Sequence, residues 1–263
     1  MTSPSSKPTQ GRRARVRAVA AAAAVLALVV AASAFAARAD KLGKTKRTPQ
    51  PNCPGADCEV NGQVTGFQRS VDGEKGLFRA RQNGRIVAWG VDLSKPSKEQ
   101  RDFFGELSKT NAFGEKPTAG ISILSRAGNG RYRLVRKSPI VAMNNYYGES
   151  PIISLRDPLR IEKGQVVALT TISWLPNFAS NTRDRKISRE NAWLGSRTHK
   201  DFPRPSGGGK KACAIPPNVP GDRAAEYFFK HSSPQKKVGS ERKYGCEYNR
   251  ARLMYYAYLV PNN

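Results

Sequence analysis

The stretch TAGISILSRAGNGRYRLVRK, residues 118–137, decides the fold class. Residues 118–126 and 131–137 read as short strands on either side of Gly128-Asn129-Gly130. Asn-Gly supplies the positive backbone angles that a tight hairpin turn needs, so this stretch predicts an antiparallel pair. Working outward, the same texture repeats. GRIVAWGVDL (84–93) alternates, which places Val87, Trp89, Val91 and Leu93 on one face. PIVAMNNYY (139–147) follows the hairpin, and LRIEKGQVVALTTISW (159–174) reads as strand, Lys-Gly turn, strand. EYNRARLMYYAYLV (247–260) reads as one long closing strand. Ala251, Leu253, Tyr255, Ala257 and Leu259 share one of its faces, and Arg250, Arg252, Met254, Tyr256 and Tyr258 share the other.

A single helix interrupts this pattern. Ser97-Lys98-Glu99-Gln100 has capping-box spacing, and the residues to about Lys109 are good helix formers with Phe103, Phe104 and Leu107 to bury. Many short strands and one short helix predict an all-β fold, a two-sheet antiparallel sandwich of jelly-roll-like type, and not a parallel α/β fold. Residues 176–245 differ: they are polar, basic and rich in Gly and Pro, and only the stretches around Trp193 and AEYFF (225–229) look packable. This long, loop-rich segment is expected to be an ordered surface feature.

The N-terminus stands apart. Residues 1–17 carry Lys7, Arg12, Arg13, Arg15 and Arg17 and no acid, and Ala18–Ala37 is apolar except for Ser33. A basic segment ahead of an apolar helix engages the export machinery. Twenty residues reach across a bilayer, but twelve of these are Ala, so insertion is marginal. Ala34-Phe35-Ala36 and Ala37-Arg38-Ala39 offer cleavage sites. Residues 1–39 are therefore expected to be a signal peptide or a single-pass anchor through residues 18–37, residues 40–52 a basic flexible tether, and residues 53–263 the folded domain.

Cysteine usage fits export. Cys53 and Cys58 flank a turn-like Pro-Gly-Ala-Asp, and Cys213 and Cys246 lie far away. Cys53–Cys58 with Cys213–Cys246 is the simplest of three possible pairings, and a four-thiolate zinc site would show two short Cys pairs where this chain has one.

Net charge is +25, and the six cations of residues 1–39 leave +19 on the remainder. An exported chain this basic meets anionic lipid headgroups and wall polymers before it meets nucleic acid, so an envelope glycan or an anionic lipid surface is the expected partner and nucleic acid is not. The N-terminal helix is the expected membrane contact.

No catalytic, metal or cofactor site is predicted. His199 and His231 lie in the polar segment without a flanking motif, and no Gly-x-Ser-x-Gly or His-x-x-x-His occurs. Gly207-Gly208-Gly209-Lys210-Lys211 lacks the spacing of a phosphate-binding loop. The aromatic residues are better candidates, among them Tyr146, Tyr147, Trp174 and Trp193. Tyr256 and Tyr258, on the strand face of Arg250 and Arg252, are expected to stack on sugar rings beside those guanidinium groups.

The strand texts GRIVAWGVDL, RLVRKSPIV, IEKGQVVALTTISWLP and NRARLMYYAYLV, with a Cys pair ahead and a Cys just before the last strand, resemble a family of exported actinobacterial β-sandwich proteins. The resemblance spans roughly Cys53 to Val260. That family has no assigned activity, so the resemblance implies export and a sandwich and transfers no catalytic residue. Together these readings predict an exported cell-envelope protein with a non-catalytic site for a glycan or a polyanionic envelope component. The alternative is a hydrolase of envelope polysaccharide on the same scaffold.

Overall fold

The computed structural model describes residues 39–55, 58–109, 113–181, 186–207, 209–210 and 212–262. The apolar stretch 18–37 and its predicted helix lie outside the described residues. Among those that are described, no helix is long and apolar enough to cross a membrane.

The described residues are mostly β, in antiparallel sheets, with two short α-helices. The strands are β1 Asp40–Leu42, β2 Asn61–Val71, β3 Glu74–Lys75, β4 Gly84–Val91, β5 Thr118–Arg126, β6 Arg131–Lys137, β7 Val141–Ala142 and β8 Ile152–Ile161. After them come β9 Val166–Leu175, β10 Phe178–Ser180, β11 Ala192–Gly195, β12 Glu241–Lys243, β13 Cys246–Asn249, β14 Ala251–Leu253 and β15 Tyr255–Pro261. Helix α1 is Lys98–Ser108 and α2 is Ala224–His231. A four-stranded sheet runs β1-β15-β4-β8, and a nine-stranded sheet runs β12-β6-β5-β9-β2-β11-β13 with β3 on β2 and β7 on β5. Both sheets feed one core: Ile86, Trp89, Ala257 and Leu259 come from the smaller sheet, and Ile121, Ile123, Val167 and Leu169 from the larger.

The predicted hairpin forms. Gly128, Asn129 and Gly130 all have positive φ (84°, 47° and 70°), and β5 pairs with β6 across them. The Lys163-Gly164 turn does something the sequence did not announce. It carries the chain from the small sheet, where β8 pairs with β4, to the large sheet, where β9 lies between β5 and β2.

Three expectations are corrected. First, Val87 does not face the core. Tyr258 opposes Ala88 and Leu259 opposes Ile86, which leaves Val87 as the extra residue of a bulge. A bulge shifts side-chain phase by one, so Ile86 is fully buried and Val87 is not. Second, the closing strand is three strands in three sheets: β13 pairs β11, β14 pairs β10, and β15 pairs β1 and β4. Arg250, at φ 56°, makes the first break. Third, there is a second helix. AEYFF lies in α2, which has no side-chain cap and only eight residues, so it carries little local signal.

The capping box at Ser97 forms as predicted, with Ser97 and Gln100 each accepting from the other's backbone N–H. Phe104 of α1 packs 5.6 Å from Trp174, but Phe103 stays half exposed. Both predicted disulfides are present, Cys53–Cys58 and Cys213–Cys246.

Two devices order the segment 176–245. Cys213–Cys246 ties it to the start of β13. Arg197, almost fully buried, donates from Nε to Ser232 Oγ (2.6 Å), from Nη2 to the Gly62 carbonyl (2.5 Å), and lies 3.8 Å over the Phe228 ring. Burial pulls its pKa down, and the Tyr248 hydroxyl opposes that shift. A guanidinium held by neutral acceptors and ring faces fixes geometry, because each of its contacts is lost together if the segment lifts away.

The stretch 40–52, predicted to be a flexible tether, packs on the fold. Asp40, Lys41 and Leu42 pair with Leu259, Tyr258 and Ala257. The Asn52 backbone N–H donates to Phe178 O at 2.9 Å. The compact unit thus begins at Asp40 and not at Cys53.

Candidate functional site

The site grows out of a divergence in the large sheet. Strand β2 pairs with β9 from Asn61 to Gly66 and with β11 from Gly66 to Ser70. Past Gly66, β2 leaves β9, and the ladder positions it vacates are taken by the segment 76–81. Val167 N donates to Phe78 O, Ala80 N to Gln165 O, and Gly164 N to Ala80 O, each at 2.9 Å. An extended segment alternates its side chains, so Phe78 and Ala80 are buried while Arg79 and Arg81 point to solvent.

This construction leaves a groove of about 610 Å³. Its floor is apolar: Phe67, Tyr132, Val166 and Leu194. Phe67 is directly opposite Leu194 in the ladder and meets Tyr132 edge-on at 5.1 Å. Five cations line it, Arg69, Lys75, Arg79, Arg81 and Arg126, and the lining contains no acid. All five are exposed. Arg79 is oriented by a 2.7 Å bond from Nη1 to the Gly164 carbonyl, and Arg69 is paired with Glu247. Among the described residues Lys75, Arg81 and Arg126 make no ion pair. The arrangement is suited to a polyanion: guanidinium forks grip phosphate or carboxylate in two-point fashion, and an apolar floor accepts the carbon face of a sugar or polyol.

Of the four residues singled out from the sequence, Arg252 and Tyr256 line one cleft, of about 390 Å³, and Arg250 and Tyr258 do not. Arg250 sits half-buried at the break between β13 and β14, its N–H donating to Asn191 O at 2.7 Å. Arg252 is buried. Its Nη1 donates to Arg47 O (2.9 Å), its Nη2 to Thr45 Oγ1 (3.2 Å), and Asp72 lies 3.7 Å away. Arg252 lines two adjoining clefts of about 390 and 970 Å³, with Lys44, Thr45, Thr48 and Pro49 in both walls. Tyr256 and Tyr258 share the outer face of the small sheet, edge to face at 5.8 Å, but the Tyr256 ring is covered by Lys41. Trp174 donates from Nε1 to Glu115 O, and Trp193 stacks on Tyr248 at 4.3 Å. Both are buried and neither is a platform for a sugar.

The histidines take structural positions. His199 Nδ1 is 3.5 Å from Cys213 Sγ, a disulfide sulfur, and His231 stacks on Tyr227 at 3.8 Å. Asp72 and Glu74 both line the larger Arg252 cleft but lie two residues apart on one turn. Asp72 accepts from Asn191 Nδ2 at 2.9 Å. Among the described residues no group of three His, Cys, Asp or Glu is placed to hold a metal ion.

The basic groove was missed because β2, NGQVTGFQRSV, was not read as a strand. The signal that would have found it is Phe78-Arg79-Ala80-Arg81, whose strict alternation of apolar and cationic residues marks an extended segment with one charged face. Fold and site together define a class: a disulfide-stapled antiparallel β protein with a cationic groove on its large sheet. Compared with family models, curated proteins and solved structures, the chain matches none.

Proposed function

We propose that this chain is an exported cell-envelope protein that binds, without chemistry, a polyanionic or glycan component of the envelope in the groove on its large sheet. The observation that carries the reading is that groove's lining of five cations and no acid over an apolar floor. Two disulfides among four cysteines support an oxidising, extracytoplasmic setting. The basic-then-apolar leader supports export, as does the resemblance to exported actinobacterial proteins, and two sheets around one core suit the sandwich that family implies.

In this reading Arg79 and Arg81, presented by an extended segment pinned to β9, grip successive anionic groups. Arg126 closes the other side, and Phe67 and Tyr132 offer apolar surface beneath. The test is binding of an anionic wall polymer and of its neutral, charge-free counterpart at two salt concentrations. The anionic polymer should bind and should weaken about ten-fold or more when salt is raised or when Arg79→Glu and Arg81→Glu are introduced together. Equal binding of the neutral polymer, or no response to the double variant, would reject the groove as the site.

A further inference from the structure

We propose that a second surface, formed by Arg85, Arg136, Arg160 and Lys163, docks this protein onto the anionic phospholipid headgroups of the membrane its chain emerges from. The inference rests on the export reading and is independent of what the groove binds.

The register of the small sheet defines the place. Asp40, Leu259, Ile86 and Leu159 form one row across β1, β15, β4 and β8. The next row towards that end of the sheet holds Val260, Arg85 and Arg160. Since β1 runs antiparallel to β15, the residue before Asp40 leads into this row. Only Arg38 and Ala39 separate Asp40 from the apolar stretch that ends at Ala37 in the sequence. Asp40 enters the fold on the edge strand β1, two strands from Arg85 and three from Arg160.

These two arginines face each other directly across β4 and β8, a placement that costs stability because like charges oppose. Arg136 adds a third guanidinium, its Nη1 donating to the Arg160 carbonyl at 3.3 Å. Lys163 follows, its backbone N–H held by Asn83 Oδ1 at 2.9 Å. One acid offsets part of this charge: Glu162 pairs with Arg160 at 3.6 Å, which leaves Arg85, Arg136 and Lys163 without an ion pair among the described residues. The Asp40 carboxylate accepts from Gln82 Nε2 at 3.1 Å. Four cations gathered against their mutual repulsion, only one of them paired with an acid, are complementary to an anionic headgroup plane. The groove lies close by, because Arg79 holds the carbonyl of Gly164, the residue after Lys163. Docking at this end would present the groove to polymers near the membrane surface.

The experiment uses the full chain in nanodiscs of phosphatidylglycerol or of phosphatidylcholine, with the rate of lysine acetylation read residue by residue by mass spectrometry. Lys98 is the internal reference: it is exposed on α1, which packs at Trp174, whereas Lys163 precedes the opposite end of β9. In phosphatidylglycerol the Lys163 rate should fall about five-fold relative to Lys98, and high salt should restore it. In phosphatidylcholine it should not fall. The double variant Arg85→Glu with Arg160→Glu should abolish the protection while leaving polymer binding in the groove intact. Equal Lys163 rates in the two lipids, or protection that survives both the variant and high salt, would overturn the proposal. Loss of groove binding in wild type with Lys163 protection retained would instead count only against the function proposed for the groove.

Discussion

The ammonium of Lys41 lies 3.6 Å above the ring of Tyr256, and the ring's other side rests on Gly90. A Cβ placed on Gly90 would fall 2.4 to 2.5 Å from Cζ, Cε2 and Oη of Tyr256. The ring therefore packs against a strand backbone and under a cation, at the margin of the cleft that Arg252 lines. Gly90→Ala should force the ring out and lower stability by about 1–3 kcal/mol. Chemical denaturation measures this directly, and an unchanged midpoint would show that the ring moves freely.

Burial also sets how the buried phenols titrate. Tyr256 is pushed up to about 12, chiefly by burial, with Asp92 and Tyr258 adding to the effect. Tyr147 is likewise pushed up to about 12 by burial, against the opposing charge of Arg101. A raised phenol pKa means that the fold favours the neutral form. The stabilisation is complete below pH 10, where the unfolded phenol is also neutral, and is lost as pH rises from 10 towards 12. Phenolate absorbance should show a late-titrating class, and thermal stability should fall across the same window. Titration of every tyrosine near pH 10 would contradict this placement of the rings.

The two disulfides should differ in weight. Cys213–Cys246 spans 33 residues and Cys53–Cys58 spans 5. On the chain-entropy model the longer loop is worth about 3–4 kcal/mol and the shorter about 2 kcal/mol. Replacing Cys213 and Cys246 with Ser should therefore cost more, and it should also loosen the segment 176–245, which is read as faster amide exchange around α2. Equal losses for the two pairs would mean that the long segment is held by Arg197 and its contacts alone.

What could be read in the sequence was local. The Gly128-Asn129-Gly130 turn, the Ser97 capping box and the cysteine pairing each rest on chemistry within a few residues or on counting. The features that stayed hidden depend on partners far along the chain. Val87 is a bulge only because β15 meets β4 in two registers, and nothing in GRIVAWGVDL reports that. The closing strand reads as one ribbon because its alternation runs unbroken through Arg250, yet that residue's positive φ passes the chain to another sheet. The ligand residues were chosen on the premise that one strand face is open to solvent. Met254 and Arg252 are instead buried on that face, by segments from elsewhere in the chain. The groove, conversely, needs β2 to part from β9, a tertiary event that leaves only the short alternation Phe78-Arg79-Ala80-Arg81 as a trace in the sequence.

The N-terminal strap offers the sharpest test of that tertiary ordering. Residues 43–51 carry Lys44, Lys46 and Arg47, and composition alone reads them as a loose tether. In the fold, Arg252 reaches from β14 into this strap and binds it at Arg47 O and Thr45 Oγ1. Burial lowers the pKa of its guanidinium, and Asp72 and Asp92 oppose that shift. Arg252→Met preserves the aliphatic bulk and removes both donors. Its cost should be about 1–3 kcal/mol, because two acceptors lose a charged partner and only one side of the strap is open to water. The more specific outcome is proteolytic. Trypsin should nick the variant at Lys44, Lys46 or Arg47 well before the core is cut, while wild type resists, since cleavage requires the strap to lift by local opening. Equal nicking of wild type and variant would show that the strap is held by β1 alone, through its pairing with Leu259, Tyr258 and Ala257.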